Sequence, residues 1–548
     1  MTTNKNIIVH PSEANGLKSP RRGVALALVL LVVMLLAFAG YSFTAFMLTE
    51  AATTNMYQRD AQARACADSG IEFVAALVGE VAEGATLPNL YNNPQLFQGM
   101  LLQDSPIPRG RLMVSIVAPV ENDVSGSSIR FGLVDESSKL NVNALLRKNL
   151  DDDQLRDSLL AFPNMTIEIA DAILDWIDDD DEPRTYGAEN EYYGTLDPPY
   201  ETKNASLESL DELLLVRGVT AQLLFGEDVN RNGLLDANEN DGELTAPLDI
   251  PDGELDRGWN ALLTTASREA NLRSDGTPRI NVNQEDLVAL YDELLGEFDE
   301  ETALFVTAMR ISSSTGGNED DPSLPPRAGE QGPAAPSSSG GFGTSVSRGG
   351  LALSSGGQTQ INSLYDLVGA TVSAEINDQT EELTSPWPDD PSSLRESLPL
   401  LLDTLTTTDE EFIEGRVNLS QAPLDVLLAI PDIDEELANA ILGAQVAMGG
   451  AAIESDPLRT TGAWLLVEGH VDLETMRTLE PLVGGNGDLY RVQVLAHFEA
   501  GGPATRLEAT IDATQQPPRI VSVRDLTVLG WGYSTSQILQ PTDAFRLQ

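Results

Sequence analysis

The longest run of apolar residues lies near the start of the chain. Residues 24–38 are all Val, Ala, Leu, Met or Phe, and no charged side chain occurs between Arg22 and Glu50. Inside a bilayer, such a run satisfies its backbone polar groups only as a helix, and it is long enough to cross about 30 Å of hydrocarbon. The pattern therefore predicts a single membrane-spanning helix over residues 24–48.

The helical pattern continues after the apolar run. From Thr49 to about Glu80 there is no Pro, and small or apolar residues recur at helical spacing. We interpret the two stretches as one helix of about 57 residues. A separate soluble helix after the membrane span is the alternative.

Alternating apolar and polar residues predict strands at both ends of the remaining chain. The early candidates are 111–119 and 129–135, and the late ones are 488–498 and 505–513, with a turn at 499–503. Residues of about 140 to 485 lie between these two sets of candidate strands.

A five-residue motif occurs three times within that central region. It reads Lys-Leu-Asn-Val-Asn at 139–143, Arg-Ile-Asn-Val-Asn at 279–283 and Arg-Val-Asn-Leu-Ser at 416–420. Each copy precedes two short helical stretches separated by a break, so repeated helical hairpins that bury each other's apolar faces are predicted.

These hairpins resemble helix-hairpin-helix modules, many of which bind DNA. That chemistry needs glycine amides close to a phosphate, whereas the turn at 431–436 reads Pro-Asp-Ile-Asp-Glu-Glu. The whole chain has 33 Lys and Arg against 85 Asp and Glu, a net charge of −52. Because this charge repels nucleic acid, we predict protein-contact scaffolds and no nucleic-acid partner.

One acidic loop matches the calcium-binding pattern of an EF-hand. Residues 228–239 place oxygen ligands at positions 1, 3, 5, 9 and 12, a turn Gly at 6 and a backbone carbonyl at 7. The predicted ligands are Asp228, Asn230, Asn232, the carbonyl of Leu234, Asp236 and Glu239. The alternative is a metal-free Asn/Asp turn.

Catalytic motifs are poorly represented. The chain has three histidines, and none has a Cys or His neighbour at metal-ligand spacing. It also lacks a phosphate-binding Gly-rich loop and a Gly-x-Ser-x-Gly elbow. We predict a non-enzymatic protein; the remaining enzymatic alternative is a glycoside hydrolase that uses two carboxylates.

The N-terminus resembles the type IV pilin and pseudopilin class. A basic leader ends in Gly23 directly before the apolar run. The resemblance implies that a prepilin peptidase cuts between Gly23 and Val24 and that Val24 is then N-methylated. Ordinary signal cleavage near 37–39 is the alternative.

One departure from that class narrows the resemblance. Most members carry Glu at the fifth mature position, where it is thought to neutralise a neighbouring subunit's N-terminus, whereas this chain has Leu28. A carboxylate in hydrocarbon is costly and is retained where it has a partner. The chain is thus similar to K-type minor pseudopilins of type II secretion systems, which sit at the filament tip.

A second stretch resembles the same K-type family. It comprises the Asp-Trp-Ile-Asp-Asp-Asp-Asp-Glu-Pro run at 175–183, then 187–193, 198–200 and 209–218. The family binds calcium in this domain, which implies a second metal region among Asp178, Asp180, Asp181 and Glu189. A solvated acidic face is the alternative.

Together, pattern and resemblance predict an α+β fold: a long transmembrane helix, a pilin-like antiparallel sheet, and a large inserted helical domain of helix-hairpin-helix or SAM-like repeats. The predicted segments are a leader (1–23), the membrane part of the helix (24–48), the rest of the helix with the first strands (49–138), helical domain (139–311), disordered Ser/Gly/Pro linker (312–357), helical domain continued (358–485) and C-terminal strands with a tail (486–548).

The resemblance implies a minor pseudopilin at the tip of the type II secretion pseudopilus, with I- and J-type minor pseudopilins as partners. The basic leader and acidic remainder predict an inner-membrane protein with a cytoplasmic N-terminus and a periplasmic bulk. The alternative is a signal-anchored envelope protein whose helical hairpins bind other proteins.

Overall fold

The computed structural model describes residues 21–82, 89–148, 150–242, 244–245, 247, 249–312, 347–353, 356–377, 379–448 and 456–538. Most of the predicted leader and positions 313–346 of the predicted linker lie outside these ranges. The chain divides into two compact units, Met1–Gln62 and Ala63–Gln548.

The helices of the described chain are α1 (Arg21–Ala82), α2 (Pro94–Phe97), α3 (Val142–Leu145), α4 (Asp152–Leu160), α5 (Ile167–Ile177), α6 (Asn190–Tyr193), α7 (Ala221–Phe225), α8 (Leu287–Glu297), α9 (Glu300–Ile311), α10 (Pro391–Thr404), α11 (Leu424–Leu428), α12 (Glu435–Met448), α13 (Trp464–Val467), α14 (Leu473–Leu479) and α15 (Thr535–Ile538).

The strands are β1 (Met100–Gln103), β2 (Leu112–Pro119), β3 (Ile129–Arg130), β4 (Val134–Asp135), β5 (Leu140–Asn141), β6 (Leu263–Thr264), β7 (Arg268–Ala270), β8 (Ile280–Asn281), β9 (Ser347–Arg348), β10 (Leu351–Ala352), β11 (Thr371–Ile376), β12 (Gln379–Thr384), β13 (Leu405–Thr406), β14 (Phe412–Glu414), β15 (Val417–Asn418), β16 (Val483–Gly484), β17 (Leu489–Phe498), β18 (Ala504–Asp512) and β19 (Arg519–Asp525).

The N-terminal apolar run and the stretch after it form one continuous helix, α1, as predicted. Among the described residues, this is the one helix that is long and apolar enough to cross a membrane, and none of the side chains in its most apolar window is buried. Length and composition therefore fit a single-pass anchor.

A seven-stranded antiparallel sheet forms the second unit's main β layer. Its order is β1-β2-β17-β18-β19, with β3 added to β2 and β4 to β17. β2 pairs with β17 in a continuous register from Val117↔Gln493 to Leu112↔Phe498. Early and late strands therefore pair in one sheet, as the predicted inserted domain requires.

The predicted strand 129–135 is two short strands rather than one. β3 pairs with β2, whereas β4 pairs with β17. Between them the amide of Leu133 donates to the carbonyl of Leu90 at 2.8 Å. The strand is interrupted at this point because the Leu133 amide is bonded to Leu90 and is not available to a neighbouring strand.

Small residues let α1 approach this sheet closely. Beyond Ala63, α1 buries Ala67, Gly70 and Val74 in the core that the sheet forms. A Cβ built on Gly70 would lie 2.7 Å from Val494 Cγ1 and 3.0 Å from Val114 Cγ1. Both contacts are to β-branched side chains, which have little rotamer freedom to move aside.

Each of the three repeated motifs forms the same local structure. The motif strand is β5, β8 or β15, and it pairs in parallel with β6, β13 or β16, respectively. A hairpin follows each motif: α4 and α5, α8 and α9, or α11 and α12. The predicted threefold plan is thus present, whereas membership in the helix-hairpin-helix or SAM-like class stays a prediction.

In each of the first two motifs, the last Asn donates hydrogen bonds to two backbone carbonyls later in the same repeat. Asn143 Nδ2 donates to the carbonyls of Leu207 and Thr265, at 2.9 and 2.8 Å. Asn283 Nδ2 donates in the same way to Ile361 and Thr407, at 2.8 and 2.9 Å. The third copy has Ser420 here, and its buried hydroxyl has no hydrogen-bond partner.

Some elements differ from the sequence-based prediction. The range 347–357, assigned to the linker, contains β9 and β10, which join β11 and β12 in a four-stranded sheet. Strands β1 and β19, at the two edges of the main sheet, were not predicted.

Buried ion pairs join the inserted region to the main sheet. Glu136 is 1 % exposed, and it bonds Arg491 Nε at 2.7 Å and Lys139 Nζ at 3.2 Å. Although burial raises the pKa of Glu136, Arg491 and Lys139 hold it at about 2. By contrast, burial raises the pKa of Asp488 to about 6, and Glu269, Asp135 and Asp512 add to the effect.

We expect Gly70→Ala to lower the free energy of unfolding by about 1–3 kcal/mol, because the added methyl overpacks the α1–sheet contact. Gly443→Ala is the matched control, since Gly443 lies in α12 with nothing within 4 Å of its built Cβ. Removing this helical glycine should be neutral or stabilise by up to about 1 kcal/mol. Thermal unfolding of the detergent-solubilised protein measures both; equal midpoints would contradict the close packing.

Asp488→Asn should stabilise the protein at pH 7.5. A raised folded-state pKa means that the folded state holds the proton more tightly, so stability is full below about pH 3.8 and declines as the pH rises through about 6. The Asn amide removes the buried charge and keeps an acceptor for the Ala270 amide, which lies 2.8 Å from Asp488 Oδ2. Urea midpoints should differ at pH 7.5 and converge near pH 3.5, whereas Asp409→Asn, at an exposed position, should behave as wild type. A less stable Asp488→Asn at pH 7.5 would contradict this account.

Candidate functional site

The predicted processing residues lie at the start of α1. Gly23 and Val24 fall in its first turn, and their backbone is helical. The apolar stretch that follows is continuous with the helix whose later part packs in the core of the second unit.

The 228–239 loop folds around its predicted ligands. The two carboxylate oxygens of Asp228 accept the amides of Asn232 and Gly233, at 2.9 and 2.8 Å. Gly233 has φ +70°, a left-handed conformation that suits Gly at the sixth position. The Nδ2 atoms of Asn230 and Asn232 both donate to Asp236 Oδ2, at 2.6 and 3.0 Å. Four of the predicted ligand side chains are therefore drawn into one compact turn.

The loop ends at Glu239, whose carboxylate has one oxygen without a hydrogen-bond partner. Its side chain is fully buried, Oε2 accepts the Asp236 amide at 3.0 Å, and Oε1 has no hydrogen-bond partner. Burial raises the pKa of Glu239 to about 7, and the neighbouring Asp228 and Asp236 add to this. The geometry thus brings several carboxylates together in the interior, with Arg257 and Arg506 as nearby positive charges; a bound hard cation would add to their effect.

The loop is docked on the main sheet. Asn232 Nδ2 donates to the Gly532 carbonyl at 2.6 Å, and Arg506 on β18 donates to the Asn230 carbonyl. A Cβ on Gly233 would lie 2.8 Å from Cβ of Pro119, the last residue of β2. The loop therefore connects the inserted region, the sheet and the C-terminal segment.

The second predicted region is built around Asp181. Asp181 Oδ1 accepts from Asn190 Nδ2 at 2.7 Å and from Asn204 Nδ2 at 2.9 Å, and the Asp180 carbonyl accepts from Asn204 at 2.6 Å. Asn190 Oδ1 in turn accepts the Thr202 amide at 2.7 Å. We call these residues, with Asp178 and Glu189, the 178–204 region.

Several buried oxygens in this region have no hydrogen-bond partner. They comprise both carboxylate oxygens of Glu189 and one oxygen each of Asp178, Thr202 and Asn204. Glu189 is 3 % exposed, and burial raises its pKa. Buried polar atoms are normally paired, so a group of unpaired oxygens indicates a place for a cation. Sequence reasoning placed Asp178 and Glu189 here but missed Thr202 and Asn204, which follow the Pro198-Pro199-Tyr200 signature.

Arg184 forms ion pairs with two aspartates at the start of the acidic loop. It bonds Asp175 at 2.9 Å and also contacts Asp178. Asp175 is fully buried, and a Cβ on Gly187 would collide with its carboxylate at 1.8 Å. The signature residues therefore shape the acidic loop, which explains why Gly stands at 187.

Neither loop gathers three or more Asp, Glu, His or Cys side chains in metal-binding geometry, as far as the described residues extend. A cation in either place would need amide, hydroxyl or carbonyl oxygens as well. Calcium accepts such neutral oxygen ligands in a flexible shell of six to eight.

The fold and the candidate site together define a class of α+β protein. It has one long apolar helix and an antiparallel sheet whose early and late strands flank a long insertion in the sequence. The insertion carries loops that are rich in side-chain oxygens. Residues 138–225 match the family model described as type II secretion system (T2SS), protein K. This stretch covers the first repeat copy and the 178–204 region. Residues 138–225 thus form a domain of the protein K type, and the chain is similar to type II secretion system protein K over further stretches.

Relatives of the same name match parts of the chain. Type II secretion system protein K of Aeromonas hydrophila is 50 % identical over 58 residues, 10 % of this chain and 18 % of the relative. The Klebsiella pneumoniae protein K is 29 % identical over 217 residues, 37 % of this chain and 60 % of the relative. The matches thus span less than two thirds of these relatives.

A solved structure gives a weaker likeness. A crystal structure of the GspK-GspI-GspJ complex from enterotoxigenic Escherichia coli is 11 % identical, covers 86 % of this chain and 98 % of the matched chain, and has a TM-score of 0.32. A likeness at this level carries no argument about fold or function.

Proposed function

We propose that this chain is a minor pseudopilin at the tip of the type II secretion pseudopilus, an assembly component rather than an enzyme. The observation that carries the proposal is the protein K domain at 138–225, inserted in a sheet whose first strands follow the apolar helix α1. Membership in a secretion-machinery family and the absence of catalytic motifs from the sequence support a structural role.

The tip position follows from Leu28. A subunit within a filament has a neighbour ahead whose N-terminal amine can pair with an intramembrane carboxylate, and a carboxylate without that partner is costly in hydrocarbon. Leu28 is the residue expected of a subunit with none ahead of it. I- and J-type minor pseudopilins are the proposed partners, the periplasm the location of the second unit, and prepilin peptidase the processing enzyme.

Calcium is the proposed structural cofactor. In the 228–239 loop it would be held by Asp228, Asn230, Asn232, the Leu234 carbonyl, Asp236 and Glu239; the unpartnered oxygen of Glu239 supports this assignment. In the 178–204 region, Glu189, Thr202 and Asn204 would contribute the unpartnered oxygens. The bound ion would supply positive charge next to these carboxylate oxygens. The residues of the two loops would then hold the insertion against the sheet.

Removal of calcium should lower the thermal midpoint of the detergent-solubilised full-length protein. A ligand present at 100 times its Kd stabilises by about 2.7 kcal/mol. Glu239→Gln and Glu189→Gln should each reduce the calcium-dependent shift, because each replaces an ionised ligand with a neutral amide. Glu382→Gln, at an exposed position on β12, should keep the full shift. No difference between chelator and calcium would exclude a structural calcium.

The mature N-terminus tests the class assignment. In cells with prepilin peptidase, mass spectrometry should find a chain that starts with N-methylated Val24. Gly23→Leu should block this cut, whereas Ala39→Leu should leave it unchanged. Ordinary signal cleavage near 37–39 predicts the reverse pattern and a start beyond Phe38, whereas a signal-anchored envelope protein predicts no cut after Gly23.

A further inference from the structure

A cavity of about 150 Å³ lies where the three repeat copies meet. The first copy contributes Lys148, the second Arg279 and the third Arg416. Arg279 and Arg416 are the first residues of their motifs, whereas the corresponding Lys139 of the first copy pairs with Glu136. We call this space the junction cavity.

The junction cavity carries more positive than negative charge. Its only lining carboxylates are Glu269 and Glu480. Glu480 bonds Arg416 at 2.7 Å, whereas Glu269 is shared between Arg279 at 3.4 Å and Arg416 at 3.5 Å. Three cations thus face two carboxylates, and two of the three ion pairs are longer than a charge-assisted hydrogen bond of about 2.7–2.9 Å. This excess occurs in a chain whose net charge is −52.

Several donors at the cavity lack an acceptor. The Nε atoms of Arg279 and Arg416 are buried without a hydrogen-bond partner. Lys148 Nζ donates to the Pro481 carbonyl at 2.7 Å, and no carboxylate of the described chain comes within ion-pair distance of it. Burial lowers the pKa of Lys148 to about 8, and Arg416 adds to this, whereas Glu480, Glu414 and Glu269 oppose it. The two unpartnered guanidinium nitrogens point to a missing acceptor.

The rest of the lining suits an oxygen-rich ligand. Five threonines line the cavity: Thr406, Thr407, Thr408, Thr460 and Thr461. Hydroxyls both donate and accept, and guanidinium groups match the geometry of phosphate-like oxyanions. The volume admits an ion of that size and excludes an acidic side chain with its helix or strand.

We propose that the junction cavity binds one small tetrahedral oxyanion of the phosphate or sulfate type. The ion accepts hydrogen bonds from Arg279, Arg416 and Lys148, one from each copy, and its negative charge offsets the excess positive charge of the lining. It therefore fastens the three copies to one another. This assignment is independent of secretion and of calcium.

The test uses the full-length protein in detergent, calcium-loaded and exchanged into chloride buffer at pH 7. Inorganic phosphate and sulfate are added at constant ionic strength, and the thermal midpoint and the heat of binding are recorded. We expect a saturable rise in the midpoint and one ion bound per chain. A rise that does not saturate would reflect general salt exclusion and would overturn the site, as would an equal effect of chloride.

Variants of the lining residues test whether the oxyanion binds in the junction cavity. Lys148→Met and Arg279→Gln should each weaken oxyanion binding at least tenfold. Arg395→Gln is the control, because Arg395 is half exposed and its ion pairs are 3.9 Å long; it should bind as wild type. If Arg279→Gln fails to fold by circular dichroism, Lys148→Met decides alone. Unchanged phosphate affinity in Lys148→Met overturns the proposal.

Discussion

The pairing of β2 with β17 is the constraint on which the second unit depends. It joins strands from opposite ends of the chain in one continuous ladder, and the same ladder presents Val114 and Val494 to Gly70 of α1. Closing a loop costs only about 0.6 kcal/mol more for each doubling of its length. A long insertion is therefore tolerated here, provided that its own ends return to adjacent strands.

The insertion meets that condition through buried polar contacts. Glu136 follows β4 directly and bonds Arg491 on β17, so entry and exit of the insertion are held by one ion pair. Asn143 and Asn283 then close the first two copies by bonding backbone carbonyls far along the chain. A buried carboxylate or amide in such a place fixes which segments meet, because any other arrangement leaves it unpaired.

Local patterns allowed part of this to be predicted. The helix α1, the strands β2, β17 and β18, and the threefold motif all have a periodicity that a single sequence displays. The stretches that begin at Ser209 and Ser363 were not assigned to the repeat, although both serines begin capping boxes of short 3-10 helices. β19 has exposed Val521 and Val523 and lies at the sheet edge, so its pairing is decided by β18. Thr202 and Asn204 could not be identified as site residues, because only the fold brings their oxygens beside Glu189.

The unbalanced charges of the interior have opposite signs in different places. The 228–239 loop and the 178–204 region hold carboxylates whose pKa burial raises, and the junction cavity holds a lysine whose pKa burial lowers. Desolvation penalises an unpaired ion of either sign, so a small counter-ion of the opposite charge would stabilise each place. The 228–239 loop and the junction cavity lie between segments that are distant in sequence. Ions bound there would stabilise the contacts among those segments. A chain with few basic residues has few side chains of its own that could do this.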